Sequence, residues 1–434
     1  MQLEKNWRRV SWALLDKSLP VLFGVGFLLL VVRTLPAEEL ALQAIASTVP
    51  LTAAQLLRFM ILIPLIKYVA EGRDAARVAA AGALLYAGGS LLVALVLVSG
   101  AATWAALFGK PALAVVLIPS AVLIAVGSLR DAGNATLEGE RRLRTLFLVD
   151  LGYHAVALGA LLIWYTQEAS RTAAMVQWVQ AWSAGVGSLL TLLVVRGHML
   201  ARPARAATMR LVRFGRYSVG FGLATTLGQH ADTLLAGALM DAPAVASYHV
   251  AKQFFRIFNV LAQAIAQVLM PLVSRLQSSG RDDDVRVLYE KSVCFLHLAL
   301  VPVIAALIVA APWIYGLFYG PRYADSVGVF RLLTLSALTL PFASVGSPFL
   351  IGLGRVRSLL WITWSVVGVG VGLAFWWIPA HGAMGAAAAL AVAALVGMLL
   401  RTWVLQRILG FALRDVAGRL GDATAFLRRR MGFS

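Results

Sequence analysis

The sequence is poor in the residues from which soluble enzymes build their surfaces and active sites. Only 13% of its 434 residues are charged, and it holds one cysteine, Cys294. A single cysteine excludes an intramolecular disulfide and argues against thiol chemistry. The chain also lacks G-x-x-x-x-G-K-[ST], H-E-x-x-H and G-x-S-x-G patterns, which argues against a P-loop, a zinc site and a hydrolase nucleophile. We therefore expect no catalytic residue, no metal site, no cofactor and no enzymatic activity.

Apolar residues dominate what is present. They make up 60% of the chain, more than a soluble domain of this size could cover. Runs of about 20 apolar residues are long enough to cross a bilayer. Twelve such runs occur, six in each half of the chain, at roughly 12–32, 41–66, 78–99, 112–130, 145–165, 175–195, 217–240, 247–273, 290–312, 327–351, 358–378 and 383–405. The fold class predicted is an all-α polytopic membrane protein.

The two halves of the chain repeat each other at an offset of about 210 residues. Both Gly139–Arg144 and Gly352–Arg357 read G-x-x-R-x-R, and other landmarks return in the same order. Two similar halves with an even number of spans predict two six-helix lobes related by a pseudo-twofold axis along the membrane normal. We predict an N-terminal lobe at 1–196, a basic linker at 197–216, a C-terminal lobe at 217–405 and a basic amphipathic tail at 406–434.

The basic residues are distributed loop by loop. Of the 38 Lys and Arg, thirty lie in the N-terminal segment, alternate loops and the C-terminal segment, and four lie in the other loops. This asymmetry predicts that both termini are cytoplasmic. A net charge of +18 arranged in this way indicates topology, and it excludes nucleic acid as the expected partner.

A polar stripe runs along span eight. The polar residues are spaced 4, 3, 4 and 4 residues apart, which places them on one face of a helix: Lys252, Arg256, Asn259, Gln263 and Gln267. Two cations one turn apart repel each other unless water or an anion faces them. One interpretation is a cavity wall that binds an anionic ligand. The other is interhelical hydrogen bonding with one buried ion pair.

Span two carries a second stripe, formed by Thr48, Thr52, Gln55 and Arg58. Arg58 precedes Lys67 by nine residues, so it lies about 13 Å from the inner boundary at 1.5 Å per residue. That depth is near the middle of the membrane. Spans two and eight occupy equivalent positions in the repeat, so both stripes are predicted to line one central cavity.

Span seven contains Asp232, which we take as the only acidic residue clearly inside a span. Arg256 is its expected partner. Asp232 then has two possible roles: a structural ion pair, or a gate or ion-coupling carboxylate.

Several stretches of the second half resemble the polysaccharide transporters of the Wzx-type lipid-linked oligosaccharide flippases. This family lies within the multidrug/oligosaccharidyl-lipid/polysaccharide exporter superfamily. The stretches that carry the resemblance cover most of the second half: Phe214–Tyr217, Asp232–Gly237, Ala246–Ala251, Pro271–Leu276, Leu317–Tyr323, Gly352–Arg355 and Ile378–Ala387.

The resemblance implies two lobes around a cationic cavity in a bacterial inner membrane. The substrate implied is an undecaprenyl-diphosphate-linked oligosaccharide, flipped from the inner to the outer leaflet, with membrane lipids and the polymerase machinery as candidate partners. Related lipid II flippases keep arginines in helices one, two and eight. This chain has Arg58 and Arg256 in helices two and eight, but only Asp16 and Lys17 in helix one, which argues against lipid II as substrate. Coupling to protons or sodium stays open.

Two other functions compete with the flippase. An ion-coupled multidrug or organic-cation antiporter of the same superfamily would need acidic residues lining the cavity. A membrane-embedded glycosyltransferase or polymer ligase would need an exposed loop with clustered acid, base or arginine groups, and the short outer loops disfavour it.

Overall fold

The computed structural model describes residues 2–72, 74–167 and 171–421, and the regular structure within these ranges is helical, with no strand. Its description of side chains excludes residues 2–11, 13, 14, 17, 217, 254–257, 259–264, 266–268 and 271. The helices are α1 (Gln2–Thr34), α2 (Ala37–Leu57), a π-helical segment (Arg58–Leu62), α3 (Ile63–Ala70), α4 (Ala75–Ser99), α5 (Ala101–Leu107), α6 (Leu113–Gly139), α7 (Leu143–Thr166), α8 (Ala173–Met199), α9 (Arg205–Leu239), α10 (Ala242–Ser278), α11 (Asp282–Tyr319), α12 (Ser326–Ser336), α13 (Leu340–Gly352), α14 (Val356–Leu409) and α15 (Leu413–Gly418).

Each of the twelve apolar runs lies within helical structure. Within the described residues, eight helical stretches are long and apolar enough to cross a membrane. One of them, Val356–Leu409, contains runs eleven and twelve, divided by non-helical backbone at Gly382 with φ +54°. The predicted class, an all-α polytopic membrane protein, is confirmed.

The outer surface of the helices is apolar. Trp182 and Trp376 are each 74% exposed, and Leu92 is 63% exposed. In water, apolar exposure on this scale would drive aggregation, whereas in a bilayer these side chains meet lipid. Their exposure therefore agrees with a multi-pass membrane protein.

The structure forms two compact units, Met1–Ala246 and Ser247–Ser434. In the first unit, α6 packs against α8 and α4, α1 packs against α7, and α9 packs against α2 and the π-helical segment. In the second unit, α11 contacts α12, α13 and α15, and α14 contacts α12 and α13. The division into symmetric lobes around residues 197–216 stays a prediction. Most of that stretch is helical here, because α8 ends at Met199 and α9 begins at Arg205.

Small residues let helices of the first unit approach closely. An added Cβ at Gly133 of α6 would clash with Thr191 of α8. In the same unit, the Lys110 ammonium donates to the carbonyls of Gly237 at 2.8 Å and Met240 at 3.0 Å, and so caps the C-terminus of α9. Burial lowers the pKa of Lys110, while the charge of Asp241 raises it.

Ion pairs hold the segment around α15 against α11. Arg419 Nε and Nη2 donate to Glu290 Oε2 at 2.9 and 2.7 Å, and Arg286 Nε donates to Glu290 Oε1 at 2.9 Å. Arg286 also donates to Asp415 at 2.7 Å, and Asp415 accepts the backbone N–H of Ala412 at 2.8 Å. That backbone hydrogen bond and the Arg286 charge lower the pKa of Asp415, so its stabilising effect is present at neutral pH and is lost as pH falls through the lowered pKa.

The predicted amphipathic tail is described only in part. Val416 of α15 is buried, whereas Leu413 and Leu420 are about half exposed. Leu427 and the run Arg428–Arg430 lie outside the described residues.

Candidate functional site

The span-two stripe is buried at Thr48 of α2 and becomes more accessible toward Arg58 in the π-helical segment. Thr52 and Gln55 are half-buried and Arg58 is exposed. The Thr52 hydroxyl donates to the Thr48 carbonyl of its own helix at 2.7 Å, so its oxygen keeps only acceptor capacity for a ligand. Arg58 forms no ion pair with any side chain in the described part of the molecule. The guanidinium on this stripe is therefore available to an anion.

A break in helical register begins at Arg58. The Ile63 N–H donates to the Arg58 carbonyl, five residues earlier, which is π-helical bonding. Pro64 follows and has no N–H, so it cannot bond the Met60 carbonyl as an α-helix would require. Single π-helical turns inside α-helices often mark functional sites, because the extra residue redirects the side chains around it.

Helix α9 lies directly on this segment. A Cβ added at Gly215 would clash with the Met60 carbonyl, and one added at Gly222 would lie 2.6 Å from Phe59. Glycines at these two positions of α9 thus permit a backbone contact with the π-helical segment. Phe59 and Phe221 pack edge to face across the same contact, with ring centroids 6.1 Å apart.

The other predicted site residues are placed as follows. Asp232 on α9 and Lys252 on α10 are both half-buried and engaged with neighbours. They belong to different compact units. The side chains of Arg256, Asn259 and Gln263 lie outside the described residues. The pairing of Asp232 with Arg256, and the shared cavity of spans two and eight, stay predictions.

The structure also reveals a charge cluster that the sequence analysis missed. Arg130 Nη2 donates to Asp150 Oδ1 at 2.6 Å, and the Asn134 amide donates to the same oxygen at 2.9 Å. Asp131 lies 3.7 Å from Arg130 and accepts a hydrogen bond from the Tyr86 hydroxyl at 3.3 Å. We call these five residues, on α4, α6 and α7, the intramembrane cluster.

Aromatic rings border the cluster. The Arg130 guanidinium lies 3.8 Å from the centroid of the Tyr153 ring, a cation–π contact. Gly187 of α8 makes room for it, since an added Cβ would lie 2.8 Å from Tyr153 and 3.0 Å from Arg130. His154 packs against Tyr153 and Phe23, and both of its ring nitrogens are buried with no hydrogen-bond partner among the described residues.

The two carboxylates of the cluster have different surroundings. The Asp150 side chain is 10% exposed and accepts two short hydrogen bonds, whereas the Asp131 side chain is 39% exposed and has two long contacts. The π-helical segment that carries Arg58 packs against both α4 and α6, which carry Tyr86 and Asp131, so the charge of Arg58 acts on both groups. Arg58, the cation predicted on span two, therefore acts on the Asp131 carboxylate without forming an ion pair with it.

The statement that Asp232 is the only acidic residue inside a span is wrong. Asp131 and Asp150 both lie in helices that can cross a membrane, α6 and α7. The predicted fourth span ends at residue 130, where apolar residues give way to Arg130 and Asp131, but α6 continues to Gly139. Arg130 and Asn134 of this extension bond to Asp150 of α7, so the helix does not stop where the apolar run stops. The 4-residue spacing of Arg130 and Asn134, together with Asp150 inside its own apolar run, was the available signal.

Metal binding finds no support in the described residues. No group of three or more His, Cys, Asp or Glu side chains among them could hold a metal ion. With Arg58 included, the charged groups are two arginines and two aspartates, and their formal charges sum to zero. Arg58 adds an exposed positive charge beside the cluster.

Comparisons with known proteins agree with this architecture. The sequence profile described as polysaccharide biosynthesis protein matches residues 84–328, more than half of the chain. An uncharacterized membrane protein of Methanocaldococcus jannaschii is 24% identical over 210 residues, covering 48% of this chain and 41% of that protein. The chain thus spans less than half the length of that relative.

Solved structures share the fold at low sequence identity. An inward-facing multidrug resistance MATE family transporter of the MOP superfamily superposes with a TM-score of 0.76 at 17% identity, over 91% of this chain and 98% of that chain. The lipid II flippase MurJ, in an inward closed conformation, also superposes with a TM-score of 0.76. Its identity is 12%, over 98% of this chain and 93% of that chain. A MOP superfamily transporter of Pyrococcus furiosus, whose binding pocket is described as having reverse polarity, gives 0.62 at 15% identity over 92% and 94%.

Proposed function

Because the chain belongs to the polysaccharide biosynthesis protein family, we propose that it flips a lipid-linked oligosaccharide by alternating access. The proposed substrate is an undecaprenyl-diphosphate-linked oligosaccharide, moved from the inner to the outer leaflet of a bacterial inner membrane with both termini cytoplasmic. The polymer made from it would reach the cell surface. The family match and the fold shared with the flippase MurJ support this proposal.

The observation that carries the proposal is the exposed Arg58 guanidinium on a helix that can cross a membrane. A charged side chain in mid-bilayer costs about 2.5–3.5 kcal/mol on insertion scales, so it persists where it faces protein, water or a ligand. A diphosphate cannot enter hydrocarbon unaided, and an arginine along its path lowers that barrier. The prenyl tail of the substrate can remain in lipid throughout.

The proposed cavity groups are those of the two predicted stripes. Arg58, Lys252 and Arg256 would bind the diphosphate, and polar side chains would bind the sugar hydroxyls: Thr52, Gln55, Asn259 and Gln263. Asp232 would act as a gate or ion-coupling carboxylate. We propose a transporter with no catalytic residue and no cofactor.

The test is a flipping assay in reconstituted vesicles. A fluorescent prenyl-diphosphate-linked oligosaccharide reports on leaflet exchange by its access to a quencher. We expect Arg58→Ala to slow flipping at least about tenfold, since a charge-assisted contact contributes about 1.5–3 kcal/mol. Arg58→Lys should restore part of the rate.

Arg77→Ala is the matched control, because Arg77 is an exposed arginine at the start of α4, 3.9 Å from Asp74. Its flipping rate should equal that of the wild type. Equal rates for wild type and Arg58→Ala, with equal amounts of folded protein, would contradict the proposed role of Arg58.

The second candidate function is an organic-cation antiporter. The two carboxylates of the intramembrane cluster favour this function, since cationic substrates need acidic partners. However, Asp150 is paired at 2.6 Å with Arg130, and Arg58 adds another positive charge. Uptake of a cationic dye by the same vesicles, without flipping of the oligosaccharide lipid, would favour the antiporter.

A further inference from the structure

The intramembrane cluster contains one carboxylate more than its nearest guanidinium can neutralise. Arg130 donates a short hydrogen bond to Asp150, and Asn134 donates a second one to the same carboxylate. Within the part of the chain that the structure describes, Asp131 has only the contacts at 3.3 Å to Tyr86 and 3.7 Å to Arg130. Asp131 is also the more exposed of the two. It is therefore the carboxylate of this pair that can change its charge without breaking a short bond.

The charged and titratable groups around Asp131 come from four elements. Arg58 approaches from the π-helical segment, Tyr86 from α4, Arg130 from α6 itself, and Asp150 and Tyr153 from α7. Arg130, Asp131 and Asp150 alone carry a net charge of about −1. The positive charge of Arg58 brings this group to neutrality.

A diphosphate on Arg58 would disturb that balance. The negative charges of the diphosphate would neutralise Arg58. They would also lie near the Asp131 carboxylate in a region of low dielectric. Two like charges so placed raise the free energy unless one of them is neutralised. Protonation of Asp131 is the smallest change that restores balance.

We propose that Asp131 takes up a proton when a diphosphate binds Arg58, so that substrate and proton are held by the first unit together. The inference rests on the proposed function, because it requires that Arg58 bind the diphosphate. The proton comes from water and is carried on an Asp131 carboxylate oxygen, and no bond of the substrate changes. Tyr86 is the positioning residue that keeps the carboxyl in place.

A proton fits this site better than sodium does. A hard cation takes several oxygen ligands, and the guanidinium of Arg130 at 3.7 Å would repel it. The described residues hold no cluster of acidic, His or Cys side chains that could ligate a metal. A proton needs only the single carboxylate.

The experiment is isothermal titration of the full-length protein in detergent with a short-chain prenyl diphosphate esterified to a sugar. Both ends of this probe are esterified, so the probe does not titrate near neutral pH. Measuring the binding heat in buffers of different ionisation enthalpy gives the number of protons taken up. We expect about one proton per probe bound, and an affinity that weakens about tenfold per pH unit where Asp131 is ionised in the free protein.

Asp131→Asn should bind the probe with no proton uptake and with an affinity independent of pH. Glu138→Gln is the matched control, because Glu138 lies seven residues further along α6, on nearly the same face. It should keep wild-type proton uptake. Size-exclusion profiles and thermal midpoints in detergent establish that the variants are folded.

The outcomes separate this inference from the proposed function. Probe binding to the wild type without proton uptake, or uptake that persists in Asp131→Asn, overturns the inference and leaves the flippase intact. Binding that depends on sodium in place of pH also overturns it. Failure of the wild type to bind the probe overturns both proposals.

Discussion

At the scale of single residues, the unequal pairing of Asp131 and Asp150 determines what each carboxylate can do in the membrane. Asp150 is nearly buried and accepts two short hydrogen bonds, so it fixes Arg130 in place. Asp131 has long contacts and partial exposure, so it is free to respond to a ligand. Asp150 therefore has a structural role, whereas Asp131 can change its protonation when a ligand binds, although both carboxylates contact Arg130.

Asp150→Asn should destabilise the protein strongly. Arg130 is 17% exposed and would lose its short ion pair. Removing one partner of a buried pair costs about 3–5 kcal/mol. We expect a lower thermal midpoint in detergent, and Arg130→Met combined with Asp150→Leu should recover much of the loss. A midpoint for Asp150→Asn equal to that of Asp131→Asn would contradict the unequal roles.

Part of the candidate site could be predicted from individual residues. The helical spacing of Thr52, Gln55 and Arg58 identifies the span-two stripe without a structure. The intramembrane cluster was missed because hydropathy marks the end of a span wherever charges appear. Pairing between α6 and α7 removes that penalty, and such pairing becomes visible only once the helices are packed together.

At the scale of helices, the π-helical segment positions Arg58 on span two. Pro64 prevents the regular hydrogen bond to Met60, and the chain accommodates this with one wider turn. The sequence indicates a bend at Pro64 but does not specify a π-helix. In the folded chain, Gly215 of α9 packs on the Met60 carbonyl of this turn.

Gly215→Ala should weaken this helix contact. Its methyl group would clash with the Met60 carbonyl, and overpacking of this kind costs about 1–3 kcal/mol. Gly220→Ala, on the same helix with no atom within 4 Å of an added Cβ, should be neutral or stabilising by roughly 0.5–1 kcal/mol. Thermal unfolding in detergent compares the two. Equal midpoints would show that the close approach of α9 contributes nothing.

Helix existence was predictable, whereas helix ends were less so. All twelve apolar runs lie in helices because burial in lipid requires internal backbone hydrogen bonding. The ends differ where helices extend past the apolar run, as α6 does to Gly139 and α9 does from Arg205. Sequence hydropathy reports the lipid-facing length, and the helix continues as long as its polar residues find partners or water.

At the scale of the whole molecule, composition and internal repetition predict the class of protein. A chain that is 60% hydrophobic, with twelve runs long enough to cross a bilayer, is predicted to be a membrane protein, and its resemblance to the polysaccharide transporters is confirmed. Its fold is the one found in solved transporters of the MOP superfamily. The substrate was not predictable from physics alone, because cations and polar stripes recognise a diphosphate but do not identify the sugar attached to it.

The most direct measurement is the leaflet in which lipid-linked oligosaccharide accumulates when the gene is deleted. We predict loss of surface polysaccharide and accumulation of the prenyl-diphosphate-linked oligosaccharide on the cytoplasmic side, because the diphosphate has no other path across the membrane. A plasmid carrying the wild-type gene should restore export, and one carrying Arg58→Ala should not. Unchanged surface polysaccharide with new sensitivity to cationic drugs would contradict the flippase and favour the antiporter.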